Sequence, residues 1–164
     1  MTIIWIVFAV LIVALLRGAT RNRANGVNFK ERWPLEAKQQ VLSERERVLF
    51  HRLQQALPGH VVLAQVQLIQ ILTFPRDKRT HALFNRICRL SLDFVILRAD
   101  TSIVAAVELD DVTHERADRQ AADARKTHAL QSAGIQLVRW NAKAIPDLQT
   151  IKAMIASDLP AIRV

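Results

Sequence analysis

The sequence predicts an α/β domain, in which a mixed central sheet is flanked by helices and one transmembrane helix precedes the domain. Three observations predict this fold. An apolar segment opens the chain, two β-rich runs flank the tetrapeptide "RADT", and segments of helical periodicity lie on both sides of that pair. The predicted order is helix, three strands, helix, strand, helix, which is typical of a mixed sheet covered by helices.

The chain begins with an unbroken apolar run of 14 residues. This is shorter than the roughly 20 residues that span a bilayer, and it also fits a signal peptide or a core helix. Nothing basic precedes the run and Arg17 follows directly, which disfavours a cleaved signal. With its flanking residues and a snorkelling Arg17, the segment approaches spanning length, so we predict a transmembrane anchor over residues 1–17. Its apolar residues include Ile3, Trp5, Phe8 and Leu16.

The formal net charge is +8, and basic residues are densest just after the apolar start. Arg17, Arg21 and Arg23 place the following chain in the cytoplasm by the positive-inside rule. We predict that residues 18–41 form a basic tether near anionic headgroups and that residues 42–164 form the folded domain.

Each element of the domain has a local signal. Ser43 followed by Glu46 is a capping-box pattern, and helical spacing then continues until "LPGH". Residues 61–68, "VVLAQVQL", alternate and predict a strand, and a basic loop leads from this strand to a short helix. The single cysteine, Cys88, excludes a disulfide within the chain and a cysteine-rich zinc site.

The runs "LSLDFVIL" and "SIVAAVELD" are apolar on both faces, so they predict a hairpin of two central strands. The segment "ERADRQAADARKTHALQSAG" predicts a helix with Gly134 at its C-terminal cap. The strand "IQLVRW" follows, with Trp140 expected in the core, and "DLQTIKAMIASDL" predicts a last amphipathic helix.

Carboxylates are crowded where the second strand of this hairpin ends. If the turn is centred between Asp100 and Thr101, Asp93 lies opposite Glu108, and Asp110 shares their face. Opposed like charges destabilise a sheet, and burying them without a partner costs several kcal/mol. A hard cation such as Mg²⁺ or Mn²⁺ relieves that cost, so the pattern predicts a metal site formed by these three acids.

A metal held in this way supports phosphodiester hydrolysis, because it acidifies a bound water and stabilises charge on phosphoryl oxygens. His114 lies close enough in the sequence to act as an acid or base. Lys126 or Arg125 on the next helix would stabilise charge in the transition state.

Each residue also has a simpler interpretation. Asp93 and Glu108 could equally be charged residues at strand ends, and Asp110 could cap the following turn. His114 could equally be a solvated residue before a helix. Asp123 and Lys126, three positions apart, fit a surface ion pair, and Asp111 faces away from the site.

A basic segment precedes the hairpin and predicts contact with a phosphate backbone, although few aromatic residues are present for base stacking. A solvated loop and a second contact with anionic lipid are the alternatives. The residues expected to bind nucleic acid are Arg76, Lys78, Arg79, Arg86 and Arg89.

Three stretches, "LDFVIL", "VELDDVTH" and "DARKTHALQSAGIQLVRW", together resemble the restriction-endonuclease-like PD-(D/E)XK superfamily, in the branch similar to very-short-patch-repair endonucleases. Over residues 42–141 the chain also resembles a bacterial domain-of-unknown-function family with an N-terminal membrane segment. The resemblance implies an α-β-β-β-α-β core, Asp93 and Glu108 as metal-binding acids, and assistance from Glu46. It also implies a bacterial inner-membrane protein with a cytoplasmic domain.

The sequence departs from the superfamily at one position. A lysine is expected two residues after Glu108, and Asp110 stands there. An acid followed by a histidine is similar to the short-patch-repair branch, and Lys126 is a candidate for the missing cation. The expected function is a Mg²⁺-dependent nuclease acting on DNA. A non-catalytic, membrane-tethered nucleic-acid-binding module and a membrane-associated scaffold protein are the alternatives.

Overall fold

A computed structural model describes residues 32–110 and 117–156. The predicted anchor, most of the tether, Asp111 and His114 lie outside the described residues. Within the described part, no helix combines the length and apolar character needed to cross a membrane. The chain divides into two units with their boundary between Gln39 and Gln40, and every helix and strand described here belongs to the second unit.

The described part of this unit contains four α-helices, four strands and one short 3-10 helix, so the predicted α/β class and order of elements are confirmed. The α-helices are α1 (Glu44–Ala56), α2 (Thr80–Ile87), α3 (Ala117–Ser132) and α4 (Leu148–Ala156); the strands are β1 (Val61–Gln67), β2 (Ser91–Leu97), β3 (Ile103–Asp110) and β4 (Gln136–Asn141); the 3-10 helix spans Leu68–Gln70.

The strands form one mixed sheet in the order β1-β2-β3-β4. β1 and β3 each pair with β2 in antiparallel fashion, whereas β3 and β4 are parallel. The hairpin strands β2 and β3 are therefore central, as their apolar residues predicted. The parallel pair brings the carboxyl ends of β3 and β4 together, with α3 as the connection between them.

The hairpin turn differs from the predicted one but keeps the predicted register. A hydrogen bond from the Thr101 N–H to the Arg98 carbonyl closes the turn, and Thr101 adopts the left-handed region at φ 69°. The register shifts by one residue next to the turn, as in hairpins with a bulge at this position. Further along the strands, Phe94 pairs with Val107, which is the alignment predicted from the sequence.

Two apolar cores cover the faces of the sheet. The first contains residues of α1 and α4, and Trp140 packs into it as expected. The second contains residues of α2 and α3. Residues of the first core include Leu49, Leu53, Phe94, Ile96, Val107, Trp140, Ile151 and Ile155, and residues of the second include Leu68, Ile87, Leu92, Val95, Ala106 and Leu130.

Both helix-end signals that the sequence offered are present. The Glu46 N–H donates to the Ser43 Oγ at 3.3 Å, and the Ser43 N–H donates to the Glu46 Oε2 at 2.6 Å, so the predicted capping box is confirmed. Gly134 follows α3 at φ 68°, a conformation that residues with a Cβ rarely adopt. The Ile135 N–H then donates back to the Leu130 carbonyl at 2.9 Å, which closes the end of the helix.

We expect Ser43→Ala to lower the free energy of unfolding by about 1 kcal/mol, because the first turn of α1 loses its side-chain acceptor. Ser43→Asp keeps an acceptor at the cap and should retain most of the stability. Urea unfolding of the two variants and the parent chain measures the difference. Equal losses for alanine and aspartate would contradict a capping role.

Candidate active site

The candidate site lies where β2 begins and β3 ends. Phe94 of β2 pairs with Val107 of β3, and the next position along each strand is occupied by an acid, Asp93 on β2 and Glu108 on β3. Glu108 is 6% exposed, and it is the one charged residue that is buried among the residues the structure describes. A buried carboxylate is costly without a compensating partner, so its contacts define the site.

Lys126 of α3 supplies that partner. Its Nζ donates to the Glu108 Oε1 at 2.8 Å, and the two side chains are only 14% and 8% exposed. Burial nevertheless raises the pKa of Glu108 to about 7; Lys126 acts in the opposite direction, and the nearby Asp93 carboxylate adds to the rise. The positive charge of Lys126 therefore compensates only part of the cost of ionising Glu108.

Asp93 is held by the backbone of the neighbouring strand. Its Oδ2 accepts the Leu109 N–H at 2.8 Å, which fixes the carboxylate beside the end of β3. Burial raises the pKa of Asp93, the Leu109 hydrogen bond opposes this shift, and the negative charge of Glu46 adds to it. The structure thus brings Asp93 and Glu108 together, as the predicted register required.

Asp110 pairs with an arginine of the neighbouring strand. Arg139 of β4 donates through Nη1 to the Asp110 Oδ2 at 3.1 Å and through Nη2 to the Asp123 Oδ1 at 2.7 Å. The same Nη2 lies 3.1 Å from the Thr127 Oγ1. Burial disfavours the charged guanidinium, but the hydrogen bonds to Asp123 and Asp110 outweigh this effect and raise the pKa of Arg139. Arg139 therefore joins β3, β4 and α3.

These contacts rule out the simpler interpretation of Asp123 and Lys126 as a surface ion pair. Asp123 pairs with Arg139 of β4, and Lys126 pairs with Glu108 of β3. Arg139 was missed as a site residue, because its alignment with Glu108 across the parallel pair β3–β4 is visible only in the structure.

An open cleft of about 580 Å³ lies beside Glu108, and Asp93 and Arg139 are not among the residues that line it. Glu108, Asp110 and Lys126 line it together with two further arginines, Arg89 and Arg119. Both arginines are exposed, so the cleft combines nearby carboxylates with positive charge that solvent can reach. This combination can accept an anionic group while its carboxylates face a cation.

The other predicted residues are not gathered at this cleft. Arg79 pairs with Asp77 at 2.7 Å, and Arg86 lines a separate cleft. Arg76 and Lys78 are exposed, as the basic-segment prediction required. Of the five predicted nucleic-acid-binding residues, Arg89 alone is among those that line the cleft of Glu108.

Glu46 serves its capping role with one oxygen, and its Oε1 accepts the Gln65 Nε2 at 2.8 Å. Its charge still acts on Asp93, so it lies at the margin of the site. Within residues 32–110 and 117–156, no group of three or more His, Cys, Asp or Glu side chains is arranged to hold a metal ion.

Comparison with known proteins identifies one family. Residues 38–159 match the family described as "Protein of unknown function (DUF2726)", and this match spans the whole sheet and all four described α-helices. No curated protein and no solved structure matches the chain.

We expect the stability of the domain to depend on the ionisation of Glu108. Its pKa is about 7 in the folded protein against an ordinary value of 4.5, so the folded state holds the proton more tightly than the unfolded state. The free energy of unfolding should therefore fall as pH rises from about 4.5 to 7, by an amount on the order of 3 kcal/mol. Glu108→Gln should remove this pH dependence of the free energy of unfolding, which urea unfolding at several pH values measures. Glu36→Gln, at an exposed position, should leave it intact.

We expect Lys126→Met to raise the pKa of Glu108 above about 7, because the hydrogen bond and positive charge that oppose the burial effect are lost. The side-chain carboxyl carbon of Glu108, followed by NMR during a pH titration, reports this shift. Arg125→Met is the matched control, since Arg125 is adjacent on α3 and lines the separate cleft. An unchanged Glu108 titration in Lys126→Met would contradict the observed ion pair.

Proposed function

The chain belongs to the DUF2726 family, and we propose that its sheet domain is a divalent-metal-dependent nuclease that hydrolyses phosphodiester bonds in DNA. The observation that carries this proposal is the meeting of three side chains from successive elements. Asp93 of β2, Glu108 of β3 and Lys126 of α3 interact with one another at one end of the two central strands. Two acids and one cation are the groups that the restriction-endonuclease-like superfamily uses, with the lysine here supplied by the helix.

The donor set fits a hard cation. Mg²⁺ commonly binds one or two protein carboxylates and completes its shell with waters and substrate phosphates, so a full protein cage is not required. Asp93 and Glu108 would hold Mg²⁺ or Mn²⁺, because their carboxylates lie close together and a divalent cation would favour the charged form that burial opposes. Asp110 would join them only by releasing its contact with Arg139.

A bound divalent cation supplies an acidified water and stabilises charge on the phosphoryl oxygens. The chain's own residues do the rest. Lys126 orients Glu108 and carries a positive charge next to the reacting phosphate, and Arg89 and Arg119 bind flanking phosphates at the cleft. His114, four residues after Asp110, is the proposed acid or base for the leaving or attacking oxygen.

We also propose that residues 1–17 anchor this domain to the bacterial inner membrane as a single-pass helix, with the domain in the cytoplasm. The 14-residue apolar run and the arginines that follow it support this topology. The basic tether, residues 18–41, would keep the domain near anionic headgroups.

One observation favours a second function, a nucleic-acid-binding module that does not cut. Lys126 and Arg139 already form ion pairs with Glu108 and Asp110, so these acids have partners without a metal. In that case the exposed arginines at the cleft would bind phosphates while the acids serve only to hold α3 on the sheet.

Incubation of the full chain with plasmid DNA and Mg²⁺ or Mn²⁺ tests the nuclease proposal. We expect metal-dependent cleavage that Asp93→Ala, Glu108→Gln and Lys126→Met each slow at least about 100-fold, the scale of losing a group that acts directly on the reacting atoms. Asp100→Ala is the control, because Asp100 lies in the exposed hairpin turn and hydrogen-bonds only locally.

Cleavage by all three site variants at the parent rate would assign the activity to a contaminant and refute the proposal. Salt-sensitive DNA binding without cleavage in either metal would support the non-catalytic module instead. Circular dichroism of each variant separates loss of activity from loss of fold.

A further inference from the structure

A second cleft lies on the other side of α3 from Glu108, between α2 and α3. It has a volume of about 340 Å³, within the range of small-ligand sites. The loop after the 3-10 helix closes one end of it. Its apolar wall includes Leu72, Phe74, Leu83, Ile87 and Ala129.

The ionisable groups that line this cleft are Arg86, Arg125 and His128, and no carboxylate is among its lining residues. The contrast with the Glu108 cleft is sharp, because there acids and cations are paired. The guanidinium groups of Arg86 and Arg125 are exposed, and neither has an ion-pair or side-chain hydrogen-bond partner among the residues that the structure describes. Within this part of the chain, two guanidinium groups beside an apolar wall therefore offer positive charge to a ligand.

The apolar wall continues to the surface. Leu83 and Phe84 on α2 are 37% and 41% exposed, and the Phe84 ring lies 6.0 Å from the Phe74 ring at the cleft. Large exposed apolar side chains beside a cavity are a feature of ligand-binding clefts. A ligand with an apolar body would remove this surface from water, which favours binding.

We propose that this cleft binds an anionic amphiphile, whose carboxylate or phosphate head contacts Arg86 and Arg125 and whose apolar body packs against Ile87 and Ala129. Arginine binds both head groups through paired, charge-assisted hydrogen bonds. The head of such a ligand pairs with the two arginines while its body covers the apolar wall. An inorganic anion would leave the apolar wall exposed, and a neutral alkane would leave the guanidinium groups without a partner. This site does not rest on the nuclease proposal.

Binding of hexyl phosphate to the full chain, measured by isothermal titration calorimetry, tests the site. We expect hexyl phosphate to bind at least tenfold more tightly than either inorganic phosphate, which has only the anionic head, or 1-hexanol, which has only the apolar body. Arg86→Gln and Arg125→Gln should each weaken hexyl phosphate binding about tenfold, the effect of losing one hydrogen bond to a charged group at a partly exposed site. Lys152→Gln, an exposed cation on α4, should not change it.

Ala129→Leu tests the apolar half, because a larger side chain fills the space that the alkyl body would occupy. It should weaken hexyl phosphate at least tenfold and leave the weak binding of inorganic phosphate unchanged. Competition with dihexanoyl phosphatidylglycerol identifies the source of the ligand: displacement supports a membrane lipid, and no displacement supports a soluble anion.

Two outcomes would overturn the proposal. One is equal affinity for hexyl phosphate and inorganic phosphate, which would mean that the apolar wall contributes nothing. The other is no binding of hexyl phosphate to the parent chain; loss of DNA binding in Arg86→Gln and Arg125→Gln would then assign both arginines to a nucleic-acid surface.

Discussion

The ion pair between Lys126 and Glu108 is the contact on which the arrangement of the candidate site depends. Glu108 is carried into the interior by the apolar strand before it, and a buried carboxylate without a partner costs several kcal/mol. Removing one partner of such a pair typically costs about 3–5 kcal/mol, because the remaining charge is stranded. The helix α3 must therefore dock with Lys126 facing the sheet, and the position of the helix and the chemistry of the site are set together.

Arg139 adds a second link of the same kind. It contacts Asp110 on β3 and both Asp123 and Thr127 on α3, so two neighbouring turns of the helix are tied to the edge of the sheet. Exposed ion pairs contribute little singly, but here one guanidinium serves three acceptors in a partly buried position. Glu108, which the nuclease proposal assigns to metal binding, thus also holds α3 in place through Lys126.

The parts of this arrangement that the sequence predicted are those set by local rules. The capping box depends on residues three apart, and a short turn fixes the alignment of Asp93 with Glu108 across the hairpin. The alignment of Glu108 with Arg139 escaped prediction, because a whole helix separates β3 from β4 and no turn defines a parallel register. For the same reason the inward face of α3 was uncertain, and Asp123 was assigned the wrong partner.

The helix α3 separates two chemical environments. Arg125 and Lys126 are adjacent in sequence, and successive helical residues point about 100° apart, so they line different clefts. On the Lys126 side, Glu108 is already paired with the lysine. Under the nuclease proposal a divalent cation must therefore compete with Lys126 for Glu108, and its affinity is reduced by the free energy of that ion pair. A phosphate that attracts Lys126 away from Glu108 removes this competition, so metal and substrate would each strengthen the binding of the other.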